Sequence, residues 1–367
     1  MALFALLVPF PSAAESLSAT QARARCFGTG RITEDQRIEG CSTILKADPS
    51  DALALSNRGE AFRRKGDPER AVADLNRAID LNPKDAAAWY NRGIAYDDLG
   101  DRDQAIVDYT RAIRLRPNDP LYYNNRGNSY SARNDYEHAL ADYDQAVRLD
   151  PKFALAYYNR GNAYREHQNA DRALADLDMA IKLDPNYGPA YGNRARIFRD
   201  NGDRTRALAD FGKSLELNPS NDRDAYARAN MYSDQHDYAL ALADYDRAIK
   251  INASYAGVFN ARCMTRAILG QLQEALADCE QSLRMRPNDP YTLDSRALCY
   301  LKLGNLDAAI ADYDSALAAK PQLESALYGR GVARRKRGDA DAAERDIAAA
   351  KAIKADIAED FAHYGVE

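Results

Sequence analysis

The sequence predicts an all-α solenoid built from tandem helix–turn–helix repeats. Three observations predict it: a 34-residue period that runs without insertion from Ala52 to Ile357, small residues at fixed places in every copy, and a proline near the end of almost every copy. The eighth position of successive copies reads Gly59, Gly93, Gly127, Gly161, Ala195, Ala229, Cys263, Ala297 and Gly331. The twentieth is alanine throughout: Ala71, Ala105, Ala139, Ala173, Ala207, Ala241, Ala275, Ala309 and Ala343. The proline recurs as Pro83, Pro117, Pro151, Pro185 and Pro219, lapses at Ala253, and returns as Pro287 and Pro321.

Each letter has a physical reason. Two amphipathic helices per copy are joined by a short turn, as at Gly100-Asp101, Gly202-Asp203 and Gly304-Asn305, where glycine can take the left-handed conformation that ends a helix. Small residues at positions eight and twenty let the two helices approach, and larger ones would hold the axes apart. Aromatics such as Tyr96, Tyr109, Tyr130 and Tyr143 fill the layer between copies. Proline stops the second helix and biases its predecessor to extended backbone. One hairpin cannot bury its own apolar face, so stacked copies make a continuous core.

This pattern of small residue, small residue, aromatic, alanine and proline resembles the tetratricopeptide repeat, and the resemblance covers more than four fifths of the chain. It implies a right-handed superhelical solenoid whose concave groove takes a protein or peptide. The expected organisation is a secretory signal at residues 1–14, a degenerate helical hairpin at 15–51, nine repeats at 52–357 and a capping helix at 358–367. The signal reading rests on the apolar run Ala2 to Phe10 followed by small residues at Ser12 and Ala14. It predicts export to a bacterial periplasm or cell envelope, with the cytoplasm as the alternative because no basic stretch precedes the run.

Bulk composition narrows the function classes. The chain is 46% hydrophobic and 29% charged, with 23 tyrosines, which is too apolar and aromatic for disorder. A net charge of −5 argues against nucleic acid as a partner. No run is long and apolar enough to span a bilayer. Once repeats and ends are assigned, no segment remains for a catalytic domain, and no nucleotide loop, nucleophile elbow or zinc motif occurs. No cofactor or metal is expected: His138, His167, His236 and His363 are scattered, and no cysteine pair has metal-ligand spacing. Oligomeric state is left open.

Two rows of polar residues go beyond the generic pattern. Position seven is arginine in all nine copies, and position twenty-three is aspartate. Pairs such as Arg92 with Asp108, Arg126 with Asp142 and Arg160 with Asp176 predict an ion-pair ladder within or between repeats that fixes stacking register. The alternative is an arginine row that binds an anion. Position six is asparagine in five successive copies, Asn57, Asn91, Asn125, Asn159 and Asn193, and then lapses.

A carboxamide both donates and accepts, so it can pair with a peptide backbone without reading side chains. The row resembles the asparagine ladder in the repeat superhelix of protein O-linked N-acetylglucosamine transferases. Tyr90, Tyr158, Asn128, Asn162, Arg165 and Arg199 are the expected groove neighbours. The alternative is an asparagine that bonds within its own helix or faces water. The chaperone-tail carboxylate clamp is disfavoured, because position five reads Ser56, Tyr90, Asn124, Tyr158 and Gly192, with no lysine. Repeats six to eight lose the asparagine row and gain Cys263, Met264, Ile268 and Leu298 at core or groove positions, which suggests a second, more apolar contact area.

Five cysteines complete the reading. Cys26 with Cys41, and Cys263 with Cys279, are spaced to staple one hairpin each, leaving Cys299 free, as suits an exported protein. The alternative is that all five are small buried hydrophobes.

Overall fold

The protein is described here by a computed structural model covering residues 17–366. The signal reading at residues 1–14 lies outside the described residues. The chain forms two compact units, Met1–Asp184 and Pro185–Glu367. The first holds α1 (Ala19–Phe27), α2 (Glu34–Ala47), α3 (Ala52–Arg64), α4 (Pro68–Leu81), α5 (Ala86–Asp98), α6 (Arg102–Leu115), α7 (Pro120–Ala132), α8 (Tyr136–Leu149), α9 (Ala154–Glu166) and α10 (Ala170–Leu183). The second holds α11 (Gly188–Asp200), α12 (Arg204–Leu217), α13 (Asp222–Asp234), α14 (Tyr238–Ile251), α15 (Ala256–Ile268), α16 (Leu272–Met285), α17 (Pro290–Lys302), α18 (Leu306–Ala319), α19 (Glu324–Arg337), α20 (Ala340–Ile353) and α21 (Ile357–His363). Within each unit, odd-numbered helices through α19 pack against the even-numbered helix that follows, and that helix against the next pair.

Caps explain where the helices begin. Asp67, Asp101 and Asp135 precede α4, α6 and α8, and each side chain accepts a backbone N–H three residues on. That satisfies a donor the helix itself cannot. The residue just before these caps has a positive φ in every repeat turn. Gly100 holds it at 82°, whereas Asn134, Gln168 and His236 adopt it at 60°, 57° and 64° despite their side chains. For glutamine and histidine that conformation is uncommon and unfavourable. At the other end, Asn82 leaves the helical region (φ −138°, ψ 81°) before Pro83, which stops α4.

The core repeats one contact, between position eight of the first helix and position twenty-four of the second. A Cβ on Gly93 would lie 2.7 Å from the Tyr109 ring, and one on Gly127 would lie 2.8 Å from Tyr143. Both tyrosines are buried, so the glycines are what lets rings of that size fit. In the pair α15–α16 the same two places hold Cys263 and Cys279, whose Sγ atoms are 2.06 Å apart. The pair α1–α2 is joined likewise, with Cys26 and Cys41 Sγ atoms 2.09 Å apart. Cys299 is a buried free thiol.

Candidate functional site

The arginine at position seven lies between two helices of the stack. Arg126 donates through Nε and Nη2 to both carboxylate oxygens of Asp142, at 2.8 and 2.7 Å. Arg92 does the same to Asp108 at 2.7 and 2.8 Å, and Arg160 to Asp176 at 2.7 and 2.6 Å. The same two-pronged pairing recurs at Arg58, Arg194, Arg228, Arg262, Arg296 and Arg330.

The remaining nitrogen reaches the other way. Arg92 Nη1 donates to Asn76 at 2.6 Å, Arg126 Nη1 to Thr110 at 2.9 Å and Arg160 Nη1 to Asp144 at 2.7 Å. Each of these three arginines therefore ties its own hairpin to the second helix of the preceding one. Its flat face rests near aromatics, with Arg92 4.8 Å from the Trp89 ring centre and Arg160 5.4 Å from Tyr157. The hydrogen bond with Asp176 raises Arg160 above the usual arginine range. These guanidiniums are spent on buried carboxylates, and little of the row is left to hold an anion.

On the first helices of the first unit, the asparagines behave differently from one another. Asn159 Nδ2 donates to Asn124 Oδ1 at 2.9 Å, Asn124 Nδ2 to Asn125 Oδ1 at 3.1 Å, and Asn125 Nδ2 to Tyr90 Oη at 2.9 Å. Three helices are thus linked by one chain of neutral amides ending on a phenol. The Tyr90 ring lies 4.6 Å from Tyr122, and burial pushes its hydroxyl up to about 12, which keeps it protonated. Asn57 instead donates to Leu53 O in its own helix at 2.8 Å. Asn91 is half-buried on α5, and Asn193 accepts from Arg196 at 3.0 Å in the second unit.

The neighbours divide as well. Asn128 is exposed and accepts from Tyr143 Oη at 2.8 Å. Tyr158 and Asn162 are half-buried on α9 with polar or ring partners of their own. Arg165 pairs with Glu166 at 2.5 Å. Arg199 pairs with Asp200 at 2.8 Å and borders a 540 Å³ cavity in the second unit with Arg196, Arg223 and Tyr226. A cavity of 810 Å³ lies among the turns after α7 and α9, lined by Tyr136, Tyr164 and His167, and contains none of the expected groove or ladder residues.

Three features were not read from the sequence. Asn124 is the buried hub of the amide chain, 1% exposed. Leu53, Leu121 and Leu155 stand exposed one helical turn before Asn57, Asn125 and Asn159, on the same faces. Their signal was present, a leucine four residues ahead of each of three asparagines. Finally, His236 and His363, far apart in the chain, have ring centres 4.0 Å apart. Among the described residues no cluster of three or more His, Cys, Asp or Glu is placed to hold a metal, and no helix is long and apolar enough to cross a membrane.

Stacked helix pairs bridged by arginine–aspartate pairs, with a polar face on the first helices, define a helical-repeat scaffold. Family models described as "TPR repeat" match residues 59–100 and 127–168, and models described as "Tetratricopeptide repeat" match 86–119, 154–187, 193–256 and 269–328. The chain belongs to the tetratricopeptide-repeat family, whose helical arrays are non-catalytic scaffolds for protein–protein interaction.

No curated protein matches it. Among solved structures, PilF of Pseudomonas aeruginosa is 20% identical, over 59% of this chain and 99% of that one, with a TM-score of 0.54. PilW, a type IV pilus biogenesis factor, is 22% identical over 56% of this chain and 94% of its own, at 0.51. A tetratricopeptide repeat protein from Parabacteroides merdae is 22% identical over 68% and 98%, at 0.50. At these identities the likeness is one of fold.

Proposed function

We propose that the protein is an adaptor that holds an extended segment of a partner protein along the first helices of its first unit. The observation that carries this reading is the amide chain from Asn159 through Asn124 and Asn125 to Tyr90, flanked by exposed Leu121 and Leu155. Buried Asn124 links the chain, while half-buried Asn125 and Asn159 each use part of their capacity internally, which fixes their orientation, and keep at least one donor or acceptor for a ligand. Preset amides offer hydrogen bonds to a peptide backbone, and the leucines offer contact to its side chains. The two cysteine pairs within bonding distance support an oxidising compartment, and with it export to the cell envelope.

The test is retention of partners from a native envelope extract by the wild-type chain beside an Asn125→Ala, Asn159→Ala double variant. A partner held by the wild type and lost from the variant supports the groove reading and supplies the ligand. Equal retention by both refutes it and moves function to the outer or terminal surfaces, as a scaffold that self-associates or joins envelope components.

A further inference from the structure

The end of the chain does more than close the last pair. Helix α21 packs back onto α19, with Phe361 4.7 Å from the Tyr328 ring. It then continues across earlier helices. The backbone carbonyl of Tyr364 accepts from Lys302 Nζ at 2.6 Å, and the same ammonium donates to Ala267 O at 2.7 Å and Ile268 O at 3.3 Å, at the end of α15. Beyond that, the hydroxyl of Tyr238 lies 2.7 Å from His363 Nε2 and 2.9 Å from His236 Nδ1, at the turn between α13 and α14. Residues 357–366 thus touch the pairs α13–α14, α17–α18 and α19–α20, and reach α15 through Lys302.

The surface underneath differs from its counterpart in the first unit. Where α7 and α9 carry Asn128 and Asn162, α15, α17 and α19 carry Met264, Leu298 and Val332, and these share one apolar cluster with Ile357, Phe361 and Val366. The segment that covers them is poorly suited to hold itself in place. Seven helical residues are far too few to be helical alone in water, so α21 exists only while docked. Its far contacts are exposed: His236 and His363 both face solvent. His236 also keeps a left-handed backbone (φ 64°) where glycine serves most other turns, an unfavourable conformation at the place where the segment lands. Tyr313 Oη, buried beside Gly329, has no hydrogen-bond partner among the described residues.

We propose that the face formed by α15, α17 and α19 is a binding site for a short partner helix with two aromatics three residues apart, and that residues 357–366 are its resident competitor. Phe361 and Tyr364 show the spacing the face accepts, and Lys302 supplies an ammonium for the carbonyls at the end of such a helix. The site belongs to the second unit and the amide-lined face to the first, so either can fail without the other. Because the resident segment is tethered, it acts at a high effective concentration and weakens any partner's apparent affinity until it lifts away.

The experiment uses the full chain and a fluorescent peptide of residues 354–366 as probe. Phe361→Ala in the full chain loosens the resident segment, and that variant should bind the peptide at least about tenfold more tightly than wild type does. Adding Lys302→Met to it should remove most of the gain. Equal binding by wild type and a Phe361→Ala variant that melts cooperatively overturns the proposal. Should that variant fold poorly, amide exchange of the wild-type chain decides instead. Residues 357–363 exchanging faster than α15 and α17 supports a displaceable segment, and exchange in step with those helices overturns it.

Discussion

Asp294 occupies on α17 the place that Tyr90 and Asn124 occupy on α5 and α7, and its surroundings are less forgiving. Its carboxylate accepts from Ser325 Oγ at 2.7 Å, while burial and the nearby Glu324 raise it from the ordinary 3.8 to about 7. Tyr313 and Tyr364 lie close by, both protonated across the neutral range because burial raises them, Tyr364 to about 12. The native state therefore binds a proton between roughly pH 4 and 7 that the unfolded chain releases, and stability contributed by this site falls as pH rises through that window. Asp294→Asn keeps the Ser325 bond and removes the charge. The expected outcome is a melting temperature higher than wild type at pH 8 and nearly equal to it at pH 5, the gap reflecting on the order of 2 kcal/mol. A gap of the same size at both pH values would mean the carboxylate is solvated.

The same scale shows what a single sequence conveys. Arginine at position seven and aspartate at position twenty-three recur as the same letters in every copy, so their pairing can be argued from the letters alone. At six of the nine arginines a third bond goes to Ser42, Asn76, Thr110, Asp144, Asp246 or Asp314. These share only the ability to accept a hydrogen bond, so no repeated letter marks them.

At the scale of elements, the two bonded cysteine pairs hold hairpins in unequal circumstances. Helices α15 and α16 sit inside a stack with neighbours on both sides, whereas among the described residues α1 and α2 pack chiefly on α3. The apolar cluster under α1 and α2 draws on Cys26, Cys41 and Leu45. A cross-link that closes a loop of 15 residues removes unfolded-state entropy of about 3 kcal/mol, in the chain-entropy account. Helical arrays unfold as chains of neighbouring units, so a weak end frays first. A Cys26→Ser, Cys41→Ser variant should therefore lose amide protection across residues 19–47 by about two orders of magnitude while α5 to α8 keep theirs. Hydrogen exchange read by mass spectrometry would show this. Uniform loss across the first unit would mean that the hairpin and the repeats unfold as one.

The turns teach a related lesson. A Gly-Asp pair announces the turn after α5, but Gln168 and His236 adopt the same left-handed backbone with no such signal. There the 34-residue register, imposed by packing on both sides, overrides local preference.

For the whole molecule, the period carried the fold and concealed a division. The chain separates into its two units at Asp184–Pro185, yet an aspartate followed by proline also ends α8, at Asp150–Pro151, inside the first unit. Identical junction letters cannot distinguish a boundary from a continuation. What distinguishes the units is the chemistry on their first helices: neutral amides and leucines in one, a covered apolar strip in the other.

That contrast sets how the first unit should recognise a partner. The groups offered by Asn125, Asn159 and Tyr90 carry no charge, although the chain as a whole carries −5. Binding through neutral hydrogen bonds and apolar contacts is screened little by salt, whereas binding through charge weakens steeply once the Debye length falls to about 8 Å and below. A partner segment recovered by the envelope experiment should therefore change its Kd less than about threefold between 50 and 300 mM salt. It should also tolerate changes at its own charged positions better than at its apolar ones. Isothermal titration at the two salt concentrations decides between the modes. A tenfold or greater loss of affinity would assign recognition to ionic contacts, with Arg165 on α9 the first residue to substitute.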